Sequence, residues 1–388
     1  MNSHGFREGF RRSALQILRR PIYWVGMLLL PLFCTLLLTT EMEDGLPIKV
    51  PAGLIDNDGT SLSREVSQSL GSMEMVDITE DCSDFTEARH KMQEGKIFGY
   101  FLIPENFESD LLAGRGPAIT FYTNMTYFVP GSLLFKAFKT TAVYTKAGVV
   151  SMVAADAGVD TANASAMMMP VNIQVRGLGN PGLNYAIYLC NSFVPAVFQL
   201  MIFLMTCFSI GETIKHGFSR RLLEICDGSV LKFIGARLLP QTLIWILLIV
   251  FMESWLYGWM GYPMHGSWLW MTLNNILLVL SSQAFGLFIV SIFPNLRLSL
   301  SLCALTGILS FSIAAFSFPY ESMYGGIAVF SWILPIRYNF LIYIDQALNG
   351  IDIYYSRWWF VAYFIFILAP LPFLGRLRKA LRQQVYVP

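Results

Sequence analysis

The chain is short of charge, of histidine and of paired cysteine. Only 14% of its 388 residues are Asp, Glu, Lys or Arg, against about 25% in soluble globular proteins. A wholly water-soluble fold is therefore excluded. The six cysteines (Cys34, Cys82, Cys190, Cys207, Cys226 and Cys303) are scattered without a CxxC spacing, so neither a zinc site nor a disulfide framework has anything to build on. His4, His90, His216 and His265 lie equally far apart, and no metal site is expected. No G-x-x-x-x-G-K-[ST] loop, G-x-S-x-G elbow or H-E-x-x-H pair occurs. The usual signatures of nucleotide hydrolysis, serine hydrolases and zinc proteases are thus absent. DNDGT at 56–60 begins like a calcium loop but lacks its later ligands and closing Glu. After a strand-like run it reads as a turn, which Asn, Asp and Gly favour.

Apolar residues are abundant, at 55% with 30 Phe and 9 Trp. Long apolar runs at 21–40, 184–210, 234–257, 268–293, 298–318 and 358–375 are long enough to cross a hydrocarbon core of about 30 Å. The first run is followed by EMEDG rather than by small residues, which argues for an uncleaved span over a signal peptide. Residues 319–357 are apolar but interrupted by Pro335, Arg337 and Asp345. They read as a re-entrant helical pair over about 325–348, whose free backbone groups need protein cover or a wet cavity.

The net charge of +1 hides an asymmetry. Residues 1–20, 209–237, 294–297 and 376–388 hold 15 Lys and Arg against four acids, while the remainder holds 12 against 22. Basic short loops mark the cytoplasmic side. Both termini are then cytoplasmic, residues 41–182 lie outside, and the basic residues call for no nucleic acid. The fold class expected is an α-helical membrane protein: six transmembrane helices, a re-entrant helical pair before the last, and an inserted α/β extracytoplasmic domain.

Residues 1–20 read as an interfacial helix against membrane lipid, with Phe6, Phe10, Leu15 and Leu18 among Arg7, Arg11, Arg12, Arg19 and Arg20. In the inserted domain, strand-like runs at 48–55, 74–78, 97–103 and 118–123 alternate with helix-like ones. Leu62, Val66 and Leu70 share a helical face. Asp84 and Glu87 have capping-box spacing, with Gly95 placed for a C-cap. Residues 131–160 look helical. After the span-rich stretch 183–378, a short tail (379–388) closes the chain.

Polar residues inside spans are costly and therefore candidates. Glu253, Asn191 and Gln199 qualify as transport-path or structural groups, with Asn274, Asn275 and Gln283 beside them. Interhelical hydrogen bonding is the simpler role for the amides. Arg337 and Asp345 are expected to form a structural ion pair. Between the second and third spans, Phe218–Glu224 reads as a short amphipathic helix, a docking element comprising Glu212, Phe218, Arg220, Arg221, Leu222 and Glu224.

PAGLIDNDGTSLSRE at 51–65, GYFLIPENFESDLLAGRG at 99–116, TNMTYFVPGSLLFK at 123–136, the loop at 211–226 and SWILPIRYNF at 331–340 together resemble the permeases of type-2 ABC transporters. This is the ABC-2 family, in its branch with a large external domain after the first span. The resemblance covers essentially the whole chain. It implies the permease subunit of an ATP-driven exporter in a bacterial inner membrane. A second permease copy or a paralogue would pair with it, and separate ABC ATPase subunits would bind the ATP and Mg. This chain would bind no cofactor and would not be an enzyme. Residues 217–226 would be the coupling helix and 3–20 the connecting helix. Members of this branch commonly work with a periplasmic adaptor and an outer-membrane channel, which the external domain would meet. The alternatives are a mechanotransmitter that moves its external domain without transporting, and a secondary transporter.

Overall fold

The computed structural model describes residues 3–42, 45, 48–113, 115–127, 129–141, 179–180, 184–316 and 318–383. The chain divides into two compact units, Met1–Gly45 with Arg176–Pro388, and Leu46–Val175. It opens with helix α1 (Ser3–Arg19) and the first apolar helix, α2 (Pro21–Glu41). Pro31 has no N–H and would crowd the carbonyl four residues back. The preceding turn, Val25–Leu29, widens to a π-helix in which Leu30 N–H reaches Val25 O.

The inserted unit is a four-stranded sheet of order β2-β1-β3-β4, with β1 (Val50–Asp56), β2 (Val76–Asp81), β3 (Gly99–Ile103) and β4 (Thr120–Thr123). Its helices are α3 (Ser61–Gly71), α4 (Phe85–Gln93), α5 (Phe107–Leu112) and α6 (129–141). β1 runs parallel to β2 and β3, and β4 antiparallel to β3. Successive side chains alternate across the sheet. Val50, Ala52, Phe101 and Ile103 therefore pack on one face with Val66 and Leu70 of α3, Phe107 of α5 and Leu133, Leu134 and Ala137 of α6. Ile55 and Tyr100 pack on the other face with Cys82, Ala88 of α4 and Ile97.

The expected caps are present in altered form. Asp84 accepts from Glu87 N–H at 2.7 Å, while the Glu87 carboxylate turns back to Ser83 N–H at 2.8 Å, one residue earlier than a capping box places it. Gly95, at φ +76°, follows the C-cap of α4. DNDGT is a turn: Asp56 accepts from the N–H groups of Asp58 and Gly59. Asp58 also caps α5 from a distance, accepting from Phe107 N–H at 2.9 Å and Glu108 N–H at 3.2 Å. Residues 142–160 of the helix expected over 131–160 lie outside the described residues.

The other unit continues with α7 (Tyr185–Lys215), α8 (Phe218–Ile225), α9 (Val230–Trp259), α10 (Trp268–Ile292) and α11 (Leu296–Ile313). It ends with α12 (Gly325–Ser331), α13 (Pro335–Leu348), α14 (Ile353–Leu368) and α15 (Leu374–Arg382). Among the described residues six helices are long and apolar enough to cross a membrane: α2, α7, α9, α10, α11 and the helix beginning at Ile353. The α12–α13 pair is bent by 81° at a short break, where Pro335 opens α13. Leu243, Leu247 and Phe251 of α9 and Leu305, Ile308 and Leu309 of α11 are exposed in helical stripes, as lipid-facing residues of a bundle are.

α7 is the hub, packing against α2, α9, α10, α11 and α13. Small residues allow the close approach. A Cβ on Gly286 would lie 3.1 Å from Phe203 O, and one on Gly307 would run into Leu200. At 1.5 Å per residue, 31 residues span about 46 Å, more than a hydrocarbon core. α7 thus overruns the expected end at 210 and carries Glu212 inside helix. α9 likewise starts earlier than 234, so Arg237, expected in an exposed basic loop, stands two turns inside a helix.

Candidate functional site

At the basic end of the bundle, Gly217 (φ +76°) reverses the chain between α7 and α8. Ser219, Leu222 and Leu223 of α8 are buried, while Phe218 (59% exposed), Arg220, Arg221 and Glu224 face outward. Arg220 Nε donates to Glu224 Oε1 at 3.1 Å, an (i, i+4) pair that supports the helix. The outward residues are those the sequence assigned to docking, with two corrections. Leu222 belongs to the inner, packed face. Glu212 is 6% exposed and points back into the unit, paired with Arg20 and accepting from Gln16 Nε2 at 3.2 Å. Neither is available to a partner.

Glu212 belongs to a polar knot that ties α1 and α2 to α7 and α9. Its centre is Arg237, 1% exposed. Arg237 donates to Gln16 Oε1 at 2.7 Å, Tyr23 Oη at 3.0 Å and Ser209 O at 3.2 and 3.0 Å. Gln241 Nε2 donates to Ser209 Oγ at 2.7 Å. Buried polar groups need such partners. The face α1 turns inward is Gly9, Ser13 and Ile17, while Leu15 and Leu18 are exposed. The stripe expected from Phe6, Phe10, Leu15 and Leu18 is therefore split. Small residues bring α1 onto α8: a Cβ on Gly5 would collide with Ile225 O, and one on Gly9 would lie 3.0 Å from Cys226 Sγ.

Residues 21–371 match the model of a family described as ABC-2 family transporter protein. The chain belongs to the ABC-2 transporter family. No curated protein matches it. It is a multi-pass membrane permease domain of a family whose members work with ABC ATPase partners.

The other end of the permease holds the remaining polar candidates. Glu253 is 1% exposed at the start of a π-helical turn, Ser254–Trp259. Among the described residues it meets no cation. Thr272 Oγ1 lies 2.9 Å from Glu253 Oε1, and Asn275 Nδ2 donates to Oε2 at 3.1 Å. Asn339 Nδ2 donates to Asn275 Oδ1 at 3.1 Å, Asn274 Nδ2 to Asn339 O at 3.2 Å, and Tyr363 Oη to Asn274 Oδ1 at 2.7 Å. One hydrogen-bonded chain thus links α9, α10, α13 and α14. Asn191 accepts from Tyr257 Oη at 2.7 Å, joining α7 to α9. Gln199 Oε1 accepts from Ile336 N–H at 2.7 Å and its Nε2 donates to Ser310 Oγ at 3.3 Å. A side chain from α7 therefore satisfies one of the orphan N–H groups at the N-terminus of α13. Thr242 Oγ1 donates to Gln283 Oε1 at 2.7 Å.

The ion pair expected between Arg337 and Asp345 is not made. Arg337 lies over the rings of Trp332 (4.2 Å) and Tyr320 (4.9 Å), and Asp345 accepts from Ser356 Oγ at 2.8 Å. Eight helical residues rise about 12 Å, too far for one pair to close. Sequence reasoning missed Arg237, Gln16, Tyr23 and Ser209. Arg237 carried a signal, since it falls inside the apolar run at 234–257, where a cation is a candidate for burial, but two of its partners, Gln16 and Tyr23, lie more than 200 residues away.

Proposed function

We propose that this permease is the membrane subunit of an ATP-driven exporter, powered by separate ABC ATPase subunits that dock on α8. One observation carries the reading. α8 is a short helix at the basic end, packed from behind through Ser219, Leu222 and Leu223, that presents Phe218, Arg220, Arg221 and Glu224 outward. An aromatic among charges on a braced helix is the make-up of an interface anchor. The basic end is cytoplasmic by its excess of Lys and Arg. Both termini are then inside a bacterial inner membrane, and the inserted unit is outside. An even number of spans requires the bent α12–α13 pair to be re-entrant. A second permease copy or paralogue completes the complex, and ATP with Mg is held by the ATPases. Closure of the ATPases displaces α8, and the polar knot at Arg237 and Glu212 passes that displacement to α1, α7 and α9. The inserted unit offers a surface to a periplasmic adaptor leading to an outer-membrane channel. Apolar spans suit an amphipathic cargo.

The test is a photo-crosslinking amino acid at position 218 in the native membrane. An adduct with an ATP-binding protein supports the reading, and its loss on Arg220→Glu with Arg221→Glu ties the contact to α8. Adducts with lipid alone would overturn it.

A further inference from the structure

The helix that follows the last span repeats the character of α8 beside it. α15 buries Leu377 and Leu381 completely, and Ser219 Oγ of α8 donates to Leu381 O at 3.0 Å. This bond satisfies one of the four carbonyls left open at the C-terminal end of α15 and pins that end to the first turn of α8. Phe373, just before α15, stacks edge-on against Phe288 of α10 at 5.3 Å. α15 is thus clamped to the bundle on one side and to α8 on the other.

Its outer face carries four cations and no acid. Gly375, Arg376, Arg378, Lys379, Arg382 and Gln383 are exposed, and among the described residues none of these cations forms an ion pair. A depression of about 200 Å³ lies between α15, the end of α7 and the α10–α11 turn, lined by Ile214, Pro294, Arg376, Lys379, Ala380 and Gln383. Its floor is apolar and its rim carries two cations.

The contrast with α1 decides what such a face meets. A helix lying in a membrane interface turns apolar side chains outward beside its cations. α1 does so, with Leu15 and Leu18 exposed among its arginines. α15 has spent its leucines on the protein and shows no large apolar side chain outward, so it has nothing to insert into lipid. A cationic face on a helix bonded to α8 through Ser219 fits an acidic protein surface.

We propose that α15 is the second half of the ATPase docking surface: it props α8 through Ser219 and offers Arg376, Arg378, Lys379 and Arg382 to an acidic surface of the ATPase, with an apolar side chain of the partner seated over Ile214 and Pro294. The inference rests on the docking role of α8 argued above.

The experiment uses the full chain in its native membrane and compares three forms. These are wild type, an α8 variant (Arg220→Glu with Arg221→Glu) and an α15 variant (Arg376→Glu, Arg378→Glu and Lys379→Glu). Each is affinity-purified and the ATPase that comes with it is quantified. A milder α15 variant, Arg376→Gln with Lys379→Gln, guards against misfolding, and monodisperse elution certifies each form. The expected result is a loss of ATPase of about tenfold or more in the α15 charge reversal, a smaller loss in the milder variant, and dissociation of the wild type by moderate salt. Full retention of ATPase by both α15 variants, with loss in the α8 variant, overturns this inference and leaves the proposed function standing. Retention accompanied by lost binding to vesicles containing anionic phospholipid assigns the face to membrane and overturns it equally. Absence of ATPase from the wild type removes the proposed function and this inference together.

Discussion

Replacing Arg237 by leucine should release the N-terminal helix while leaving the bundle inserted. Arg237 gives its hydrogen bonds to Gln16, Tyr23 and the Ser209 carbonyl, and is 1% exposed. Leucine fills the space of the side-chain stem but donates nothing. Gln16 is half-buried and can turn to water, whereas Tyr23, also 1% exposed, cannot. Stranding a buried polar group costs about 1–3 kcal/mol. Gln16 is the partner through which Arg237 holds α1, and a hydrogen bond to a charged group contributes about 1.5–3 kcal/mol, so the docking of α1 should weaken by about that much. At tenfold per 1.4 kcal/mol, the opening equilibrium of α1 rises roughly 12- to 140-fold. Trypsin reads this directly, because α1 carries Arg7, Arg11, Arg12 and Arg19. Cleavage under dilute protease follows the population of the opened segment. Purified full-length protein in detergent should lose α1 faster by that factor, with the later spans unaffected. Tyr23→Phe added to Arg237→Leu should restore part of the lost thermal stability, since it removes the hydroxyl that leucine leaves without a partner. A cleavage rate within about threefold of wild type would show that the knot does not hold α1, since threefold is under about 1 kcal/mol.

Glu212→Gln should matter less, under about 1 kcal/mol by the same assay, because its partner Arg20 is 40% exposed and can hydrate. Gln199→Leu leaves the Ile336 N–H without its acceptor and should lower thermal stability by about 1–3 kcal/mol; an unchanged melting temperature would contradict the cap. Glu253→Gln keeps a group able to accept from Asn275 and should melt near wild type, whereas Glu253→Leu should not. Equal melting of the two would argue against an anchoring role. In the inserted unit, Lys91 and the Ser83 hydroxyl and N–H hold the Glu87 carboxyl down from 4.5 to about 2. A depressed pKa gives stability that is full above the ordinary value and lost as pH falls through about 2. Glu87→Gln should therefore be less stable than wild type at neutral pH, with the gap shrinking below pH 4.5 and closing near 2.

The number of spans, the inserted α/β unit and the break at Pro335 were legible in the sequence because each is written locally, in hydropathy, alternation and proline. The outward residues of α8 were legible for the same reason, since a charged helix with one aromatic has few places to hide. What failed was anything set by a distant partner. Glu212 looked exposed because Arg20 and Gln16, which cover it, come from the other end of the chain. Gly9, Ser13 and Ile17 carry the docking of α1 although the bulky residues Leu15 and Leu18 dominate its pattern. Close approach selects small residues, which hydropathy does not score. Asp58 looked like a turn residue and is one, but its second task of capping α5 appears only when Phe107, 49 residues further along, is folded against it. Cys82 is 7% exposed in the small core around Tyr100 and makes a poor reporter thiol. A cysteine at Leu112, 60% exposed, is the better probe of which side the inserted unit faces. It should react with an impermeant reagent in spheroplasts, and labelling only after lysis would reverse the topology.

The account stands or falls on whether this permease carries its motor as a separate chain. The measurement is affinity purification of the tagged, full-length protein from its native membrane under conditions that preserve complexes, followed by identification and quantification of what accompanies it. A stoichiometric ATP-binding subunit, lost on Arg220→Glu with Arg221→Glu, is the predicted result. A chain that purifies alone, or an ATPase retained in full by that variant, would contradict docking on α8.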